Sequence, residues 1–312
     1  MPMDALISLM GEQPMPALLP ARFLKAPRNI LVTSDEFRRR VEYVSRLIDG
    51  AEIVEVEPYD LEGAYRKIRD VLEGSREPAI NMTGGTKIMA LAAFHAAGDR
   101  KCRLVYMTTA GGACTLSSYY IGRKIIRLES SEPLPELITI DDYLRAHLPG
   151  YSIRRPETRE DGTLLPGHKF EKEIARILKS SGFEVLIGVE PEGMEKQEEI
   201  DLVVRRGNVV GVVEVKVHRH DKYGKPKIHP EEAWHPKRGY EQLLALCARE
   251  YLGLETKRIF ITDYKNEPEV RTFGDGHGIR TIELCSCFGG SFPPGDKSDE
   301  YKLVREMKTA LT

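Results

Sequence analysis

The clearest alternation of apolar and polar positions in the chain lies between residues 200 and 216. Ile200-Asp201-Leu202-Val203-Val204 and Gly211-Val212-Val213-Glu214-Val215-Lys216 are rich in β-branched residues at period two, the signature of strands. Arg205-Arg206-Gly207-Asn208 supplies the turn between them. An antiparallel hairpin of this kind brings Asp201 and Glu214 together, with Lys216 one pleat further on the same face. Ahead of it, Gly167–Ser180 reads as a helix whose Phe170, Ile174, Ile177 and Leu178 form one apolar stripe, with Glu171 beside that stripe. Phe183–Val189 reads as a strand. Beyond the hairpin come a long connection, a helix around Tyr240–Tyr251, short strands at Arg258–Thr262 and Thr281–Leu284, and a helix over Tyr301–Leu311.

The first half has a different rhythm. Strands are expected at Ala5–Met10, Asn29–Thr33, Ala51–Val56, Pro78–Asn81 and Arg103–Met107. Helices are expected at Glu36–Ile48, Leu61–Leu72 and Lys87–Ala97, while the stretch after Gly11-Glu12-Gln13-Pro14 reads as a proline-punctuated segment. Strands alternating with helices at this spacing predict a mainly parallel, Rossmann-like sheet covered on both faces. Cys114–Tyr120 and Lys124–Leu128 read as a hairpin. Residues 134–162, polar and rich in Pro, Gly and charge despite helical character over Ile138–His147, read as the linker. The expected organisation is therefore α/β throughout: a first domain over 1–133 and a second α/β domain over 163–312.

Composition narrows this picture without deciding it. The 312 residues suit two domains. Charged residues make up 30%, yet the formal net charge is only -2, so any surface for nucleic acid must be local. No apolar run approaches the roughly 18–20 residues of a membrane span, and no signal sequence is expected. The five cysteines are scattered, and Cys285-Ser286-Cys287 lacks the spacing of a zinc site. A protein of the reducing cytoplasm is expected.

Two constellations carry chemistry. Asp201, Glu214 and Lys216 converge at one end of the hairpin, where two carboxylates and the Val215 carbonyl can hold Mg²⁺ or Mn²⁺ and a lysine can act on water or phosphate. A surface ion-pair cluster is the plainer reading of the same residues. The second constellation is Asn81-Met82-Thr83-Gly84-Gly85-Thr86-Lys87, between a strand and a helix. Its glycines permit close backbone approach, and a helix start favours phosphate. It is neither a Walker A loop nor a Gly-x-Gly-x-x-Gly turn. Together with Gly11–Gln13 and Thr33-Ser34 it places small polar residues at three strand ends, where ligands of doubly wound sheets collect. A well-capped turn without a ligand is the alternative. From Lys216 to Arg238 the chain holds seven Lys/Arg against three acidic residues, with His218, His220, His229, His235, Tyr223 and Trp234 interleaved. That mixture suits phosphates and unstacked bases, though a solvated loop explains it as well.

Gly11-Glu12-Gln13-Pro14 with Asn81-x-Thr83-Gly84-Gly85-Thr86-Lys87-x-Met89 resembles the CRISPR-associated Rossmann-fold (CARF) sensor domain of the sensor–nucleases that accompany type III CRISPR systems. The resemblance covers roughly the first 130 residues. It implies a homodimer that binds a cyclic oligoadenylate, most often cyclic tetra-adenylate, through Gly11, Glu12, Gln13, Thr33, Ser34, Asn81, Thr83, Gly84, Gly85, Thr86 and Lys87. Glu171 … Asp201-x12-Glu214-x-Lys216 resembles the PD-(D/E)xK core shared by restriction endonucleases and archaeal Holliday-junction resolvases, over about residues 165–265. Ile200 stands where that pattern often has Pro. The resemblance implies a restriction-endonuclease-like domain cleaving DNA or RNA, with Asp201, Glu214 and Val215 on the metal and Lys216 at the phosphate. Glu171 is implied to hold a second cation or its water, and Gln242 to orient substrate or water. A constitutive repair or restriction nuclease and a non-catalytic sensing regulator remain as the other readings of the chain.

Overall fold

A computed structural model of the protein describes residues 3–122, 125–155, 158, 161–192, 199–217, 236–248, 251–253, 255–287, 291–293, 295 and 297–312. The chain divides into two compact units, Met1–His147 and Leu148–Thr312. The first runs β1 (Ala5–Leu9), α1 (Met15–Leu24), β2 (Arg28–Thr33), a 3-10 turn (Asp35–Phe37), α2 (Arg38–Ser45), β3 (Ala51–Glu55), α3 (Leu61–Glu73), β4 (Pro78–Asn81), α4 (Lys87–Arg100), β5 (Arg103–Ala110), β6 (Ala113–Gly122), β7 (Ile125–Pro133) and α5 (Ile140–His147). Its sheet has the order β3-β2-β1-β4-β5-β6-β7, parallel from β3 to β5 and antiparallel over the last two strands. Ile7, Leu9, Ile30, Val32 and Ile80 meet Ile68 and Leu72 of α3 and the alanine-rich face Ala92, Ala93, Ala96 and Ala97 of α4 in one core. Small side chains let α4 lie close to both sheet and α3.

Helix α1 departs from the expected irregular segment, for a local reason. Pro14 and Pro16 fall at the helix start, where a missing N–H costs nothing. Pro20 lies inside the helix and leaves the Pro16 carbonyl without its i+4 donor. The Asn81 side chain replaces that donor, its Nδ2 giving a hydrogen bond to Pro16 O at 2.7 Å. A residue at the end of β4 thus completes a helix more than sixty positions earlier.

Residues 134–162, read from the sequence as linker, hold structured elements of both units. Arg22 ties down the start of α5, donating to Leu137 O at 3.0 Å and to Asp142 Oδ1 at 2.6 Å. Burial alone would raise the Asp142 pKa; the Arg22 and Thr139 hydrogen bonds outweigh it and hold the carboxyl at about 2. At the other end of α5, His147 is buried, donates from Nδ1 to Tyr143 O (2.8 Å) and packs on the Tyr143 ring at 4.2 Å. Among the described residues its Nε2 meets no hydrogen-bond partner, and burial pushes the imidazole down to about 3 from an ordinary 6.5. The folded pKa lies below the unfolded one, so the stability linked to a neutral His147 is complete above about pH 6.5. It drains away as pH falls towards 3. Thermal melts at pH 7, 5 and 4 are expected to show a steeper loss for the wild type than for His147→Leu, which has no proton to take up.

The second unit runs β8 (Tyr151–Ile153), α6 (Pro166–Ser180), β9 (Glu184–Pro191), β10 (Ile200–Arg206), β11 (Val209–Lys216), α7 (Pro236–Leu246), β12 (Lys257–Thr262), α8 (Pro268–Gly276), β13 (Ile279–Glu283) and α9 (Ser298–Ala310). Strand β8 and helix α8 had no counterpart in the sequence reading. The sheet order is β13-β12-β11-β10-β9-β8, antiparallel from β8 to β11 and parallel from β11 to β13. Leu202, Val204, Val213, Val215, Ile259 and Ile261 share a core with Phe170, Ile174 and Leu178 of α6 and Leu303 and Met307 of α9. Residues of the other parity, Val203, Val212, Glu214 and Phe260, face the opposite side, where α7 packs on β11 and β12. All five cysteines are free thiols. Among the described residues no helix is long and apolar enough to cross a membrane.

Candidate functional site

Strand pairing between β10 and β11 runs from Arg206↔Val209 to Leu202↔Val213. The next residues on each strand are Asp201 and Glu214, so the ladder ends where the two carboxylates meet. The Asp201 carboxylate takes over the backbone there: its Oδ2 accepts the Val215 N–H at 2.6 Å. Glu214 is 1% exposed and its Oε1 accepts a hydrogen bond from Lys216 Nζ. The sequence-predicted trio is therefore gathered at one strand end.

Its electrostatics follow from crowding. Desolvation and the neighbouring Glu214 charge push the Asp201 pKa well above the usual carboxylate range, against the pull of Lys216 and the Val215 N–H. Burial would lower the Lys216 pKa, but Glu214, Asp201 and the Glu214 hydrogen bond outweigh it and the ammonium holds its proton more firmly than usual. Glu171, on α6, belongs to the same field. Burial raises its pKa, His168 opposes that rise, and Glu199 and Lys216 act on it in opposite directions. The His168 ring nitrogen Nδ1 lies 3.1 Å from Glu171 Oε2.

Gln242 lies on α7, the helix after the hairpin, as expected. Its Nε2 donates to the backbone carbonyl of Glu199 at 3.0 Å, which steadies the residue just ahead of Ile200-Asp201. Glu199 is also ion-paired through its side chain with Arg154. Neither His168 nor Glu199 stood out in the sequence. Both carried a usable signal: His168 lies one turn before Glu171 on the same helix, and Glu199 is two positions before Asp201, hence on the same side of the strand.

Helix α7 needs Gly239 to lie over this cluster. A Cβ at 239 would meet Phe260 Cε2 at 2.6 Å and Glu214 Cγ at 3.4 Å. Phe260 is fully buried and packed against Tyr240 at 4.5 Å, so its ring cannot yield. Gly239→Ala is expected to cost about 1–3 kcal/mol by overpacking and to displace Glu214. A thermal melt paired with a cleavage assay checks both effects.

Among the described residues no group of three or more His, Cys, Asp or Glu side chains forms a ready metal cage. The donor set nevertheless fits a hard dication. Burial and the neighbouring Glu214 charge raise the Asp201 pKa, and a divalent charge offsets both. Asp201, Glu214 and the Val215 carbonyl are oxygen donors of the kind Mg²⁺ and Mn²⁺ take. The His218-x-His220 pair and the rest of the basic, aromatic-bearing connection from 218 to 235 lie outside the described residues.

In the first unit, the loops after β1 and β4 flank the point where strand order reverses, since β1 pairs with β2 on one side and β4 on the other. They are in close contact. A Cβ on Gly84 would meet the Leu9 carbonyl oxygen at 2.5 Å, and one on Gly11 would lie 3.5 Å from Gly85 N. Gly85 adopts φ +78°, a conformation that favours glycine. Thr86 caps α4, accepting from Met89 N at 3.2 Å and donating to Pro58 O at 2.7 Å. Thr83 Oγ1 donates to Asn81 Oδ1 at 2.6 Å and accepts from Met107 N at 2.8 Å.

Three of the expected ligand residues point inward instead. Asn81 is fully buried, its amide committed to Ser8, Pro16 and Thr83. Thr33 and Ser34 are also buried, 0% and 2% exposed. These side chains shape the crevice. On these loops Gly11, Glu12, Gln13, Thr83, Gly84 and Thr86 are partly exposed, and Gly85 and Lys87 are exposed.

These features define a two-part protein: a doubly wound sheet with glycine-rich loops at its switch point, followed by a second sheet with Asp, Glu and Lys at one strand end. Residues 5–143 match the Card1 CARF domain, and residues 165–234 match the archaeal Holliday junction resolvase (Hjc) family. The chain thus joins a Card1-type CARF domain to a resolvase-family nuclease domain. The resolvase match runs from α6 through the hairpin and across the basic connection. No curated protein sequence matches the chain.

Among solved structures, Can2 from Sulfobacillus thermosulfidooxidans in complex with cyclic tetra-adenylate is similar, with a TM-score of 0.73, 16% identity and 98% of each chain covered. VC1899 from Vibrio cholerae has a TM-score of 0.72 at 12% identity, again over 98% of each chain. A type III CRISPR defence DNA nuclease activated by cyclic oligoadenylate has a TM-score of 0.54 at 16% identity, with 90% of this chain and 50% of that one covered. At these identities the likeness is one of fold.

Proposed function

We propose that the protein is a cyclic-oligoadenylate-activated, divalent-metal-dependent nuclease of type III CRISPR defence, acting on DNA or RNA as a cytoplasmic homodimer. The observation that carries this reading is the Asp201–Glu214–Lys216 cluster in a resolvase-family domain borne on the same chain as a CARF domain. Can2, whose fold spans the same two units, was solved with cyclic tetra-adenylate, which supports that ligand as the activator.

Asp201, Glu214 and the Val215 carbonyl would hold the cation. When bound, Mg²⁺ or Mn²⁺ lowers the pKa of water and offsets phosphate charge. Asp201, through its bond to Val215 N, keeps the strand end in place around that position. Lys216, whose Nζ donates to Glu214 in the cluster, would act on the attacking water or stabilise charge growing on the phosphate oxygens. Glu171 and its partner His168 orient what approaches from the α6 side. In the sensor crevice, Lys87 and the exposed amides of Gly85 and Thr86 supply positive charge and donors for phosphate. Exposed Leu91 and Phe94 of α4, one turn apart, and Tyr106 of β5 offer an apolar face for the second copy.

The test is a substrate panel. Labelled plasmid, single-stranded DNA and RNA are incubated with the protein and Mn²⁺, with and without cyclic tetra-adenylate or cyclic hexa-adenylate. Cleavage that needs both metal and ligand supports the reading. Cleavage indifferent to ligand points to a constitutive repair or restriction nuclease, and ligand binding without cleavage points to a regulator.

A further inference from the structure

We propose that His168 is a positioning residue that fixes the Glu171 carboxylate within the nuclease cluster; the inference rests on the nuclease reading above. His168 and Glu171 are three residues apart on α6, and Nδ1 stands 3.1 Å from Oε2. Ionised Glu171 offers only acceptors, so Nδ1 carries the hydrogen in this contact.

The burial of the pair separates it from the other pairs on helices. The His168 and Glu171 side chains are 15% and 7% exposed, against 65% and 74% for Arg66–Glu62 and 58% and 37% for Arg176–Glu173. An exposed pair at this spacing contributes about 0.3–0.5 kcal/mol and leaves both side chains free to rotate. A half-buried imidazole beside a buried carboxylate instead favours one carboxylate orientation, as outer partners of catalytic and metal-binding groups do.

The location gives that orientation a purpose. Helix α6 packs on β10 and β11, and Glu171 interacts electrostatically with Lys216, Asp201 and Glu199, which sets it in the field of the strand end where the hairpin carboxylates meet. Its other oxygen, Oε1, lies beside the first turn of α6, 3.8 Å from where a Cβ on Gly167 would sit. With Oε2 at His168 and Oε1 beside Gly167, the orientation of the carboxylate is set from the first turn of α6. The N-cap residue of α6, Leu165, makes no side-chain cap hydrogen bond, and the hydrogen-bond contact of the His168 ring is to Glu171.

The experiment measures Mn²⁺-dependent cleavage by the full-length protein at saturating cyclic tetra-adenylate, resolving kcat from KM, together with Mn²⁺ binding by titration calorimetry without substrate. His168→Leu is expected to lower kcat roughly 10–100-fold with KM little changed, and to weaken Mn²⁺ binding. His168→Asn, whose amide nitrogen reaches where Nδ1 was, is expected to restore activity to within a few-fold of wild type. Combining His168→Leu with Glu171→Gln is expected to cost no more than Glu171→Gln alone, because the two residues act as one unit. A His168→Leu protein that cuts as fast as wild type, or a folded His168→Asn protein as slow as His168→Leu, overturns the positioning role while leaving the nuclease reading intact. A wild type that cuts nothing overturns both.

Discussion

Asp201→Asn is expected to reduce metal-dependent cleavage by about 10²–10⁴-fold while making the metal-free protein more stable at neutral pH. Asparagine keeps the shape of the side chain and an oxygen that can accept the Val215 N–H, so the strand end is preserved. What is lost is the charge that a dication needs. The gain in stability follows from the sign of the pKa shift. Desolvation and Glu214 raise the Asp201 pKa in the folded protein above its ordinary 3.8, so the folded state binds the proton more tightly than the unfolded chain. Stability therefore falls as pH rises from about 4 through the raised value, and above that window the full penalty of ionising Asp201 is present. The asparagine variant has no such penalty. Melts at pH 8 without metal should place the variant above wild type, the gap should narrow on acidification, and added Mn²⁺ should stabilise the wild type more than the variant. A variant less stable than wild type at every pH would contradict the strained-carboxylate account.

Gly84→Ala is expected to disable the sensor crevice without touching the nuclease cluster. The added methyl would sit 2.5 Å from Leu9 O and 3.5 Å from Met10 Cα. Both are backbone atoms at the end of a buried strand, so the loop and not β1 must move. Overpacking of this kind costs about 1–3 kcal/mol. The moved segment carries Gly85, Thr86 and Lys87, whose donors are charge-assisted when they meet phosphate and contribute about 1.5–3 kcal/mol each. Losing one of them weakens ligand binding roughly 10–100-fold. Calorimetric titration with cyclic tetra-adenylate measures that loss. Unchanged affinity would remove this loop from the ligand site.

How much of this could be read from residues alone depended on whether the cause was local. The hairpin and the parallel strands were legible because alternation and β-branching act over a few positions, and the pairing of Asp201 with Glu214 follows from a turn and a period of two. Helix α1 was not, because what tolerates Pro20 is the Asn81 amide, far away in sequence. Asn81 itself looked like a ligand contact for the same reason: its place inside the fold depends on a proline that the loop pattern does not contain. Gln242 sits on the expected helix, but the strand start it grips is set by packing of α7 against the sheet. The short strand β8 owes its state to pairing with β9 and has no period of its own. The domain boundary moved to His147 because α5, polar in composition, is anchored by Arg22 and a buried histidine.

The central claim is that ligand in the first unit controls chemistry in the second. It is tested most directly by the initial rate of Mn²⁺-dependent cleavage as cyclic tetra-adenylate is titrated into wild type and into Lys87→Ala. The account predicts a rate that rises from near zero and saturates for wild type, with the midpoint for Lys87→Ala shifted to higher ligand concentration and the Asp201–Glu214–Lys216 cluster unaltered at saturation. A wild-type rate that is the same with and without ligand would contradict it.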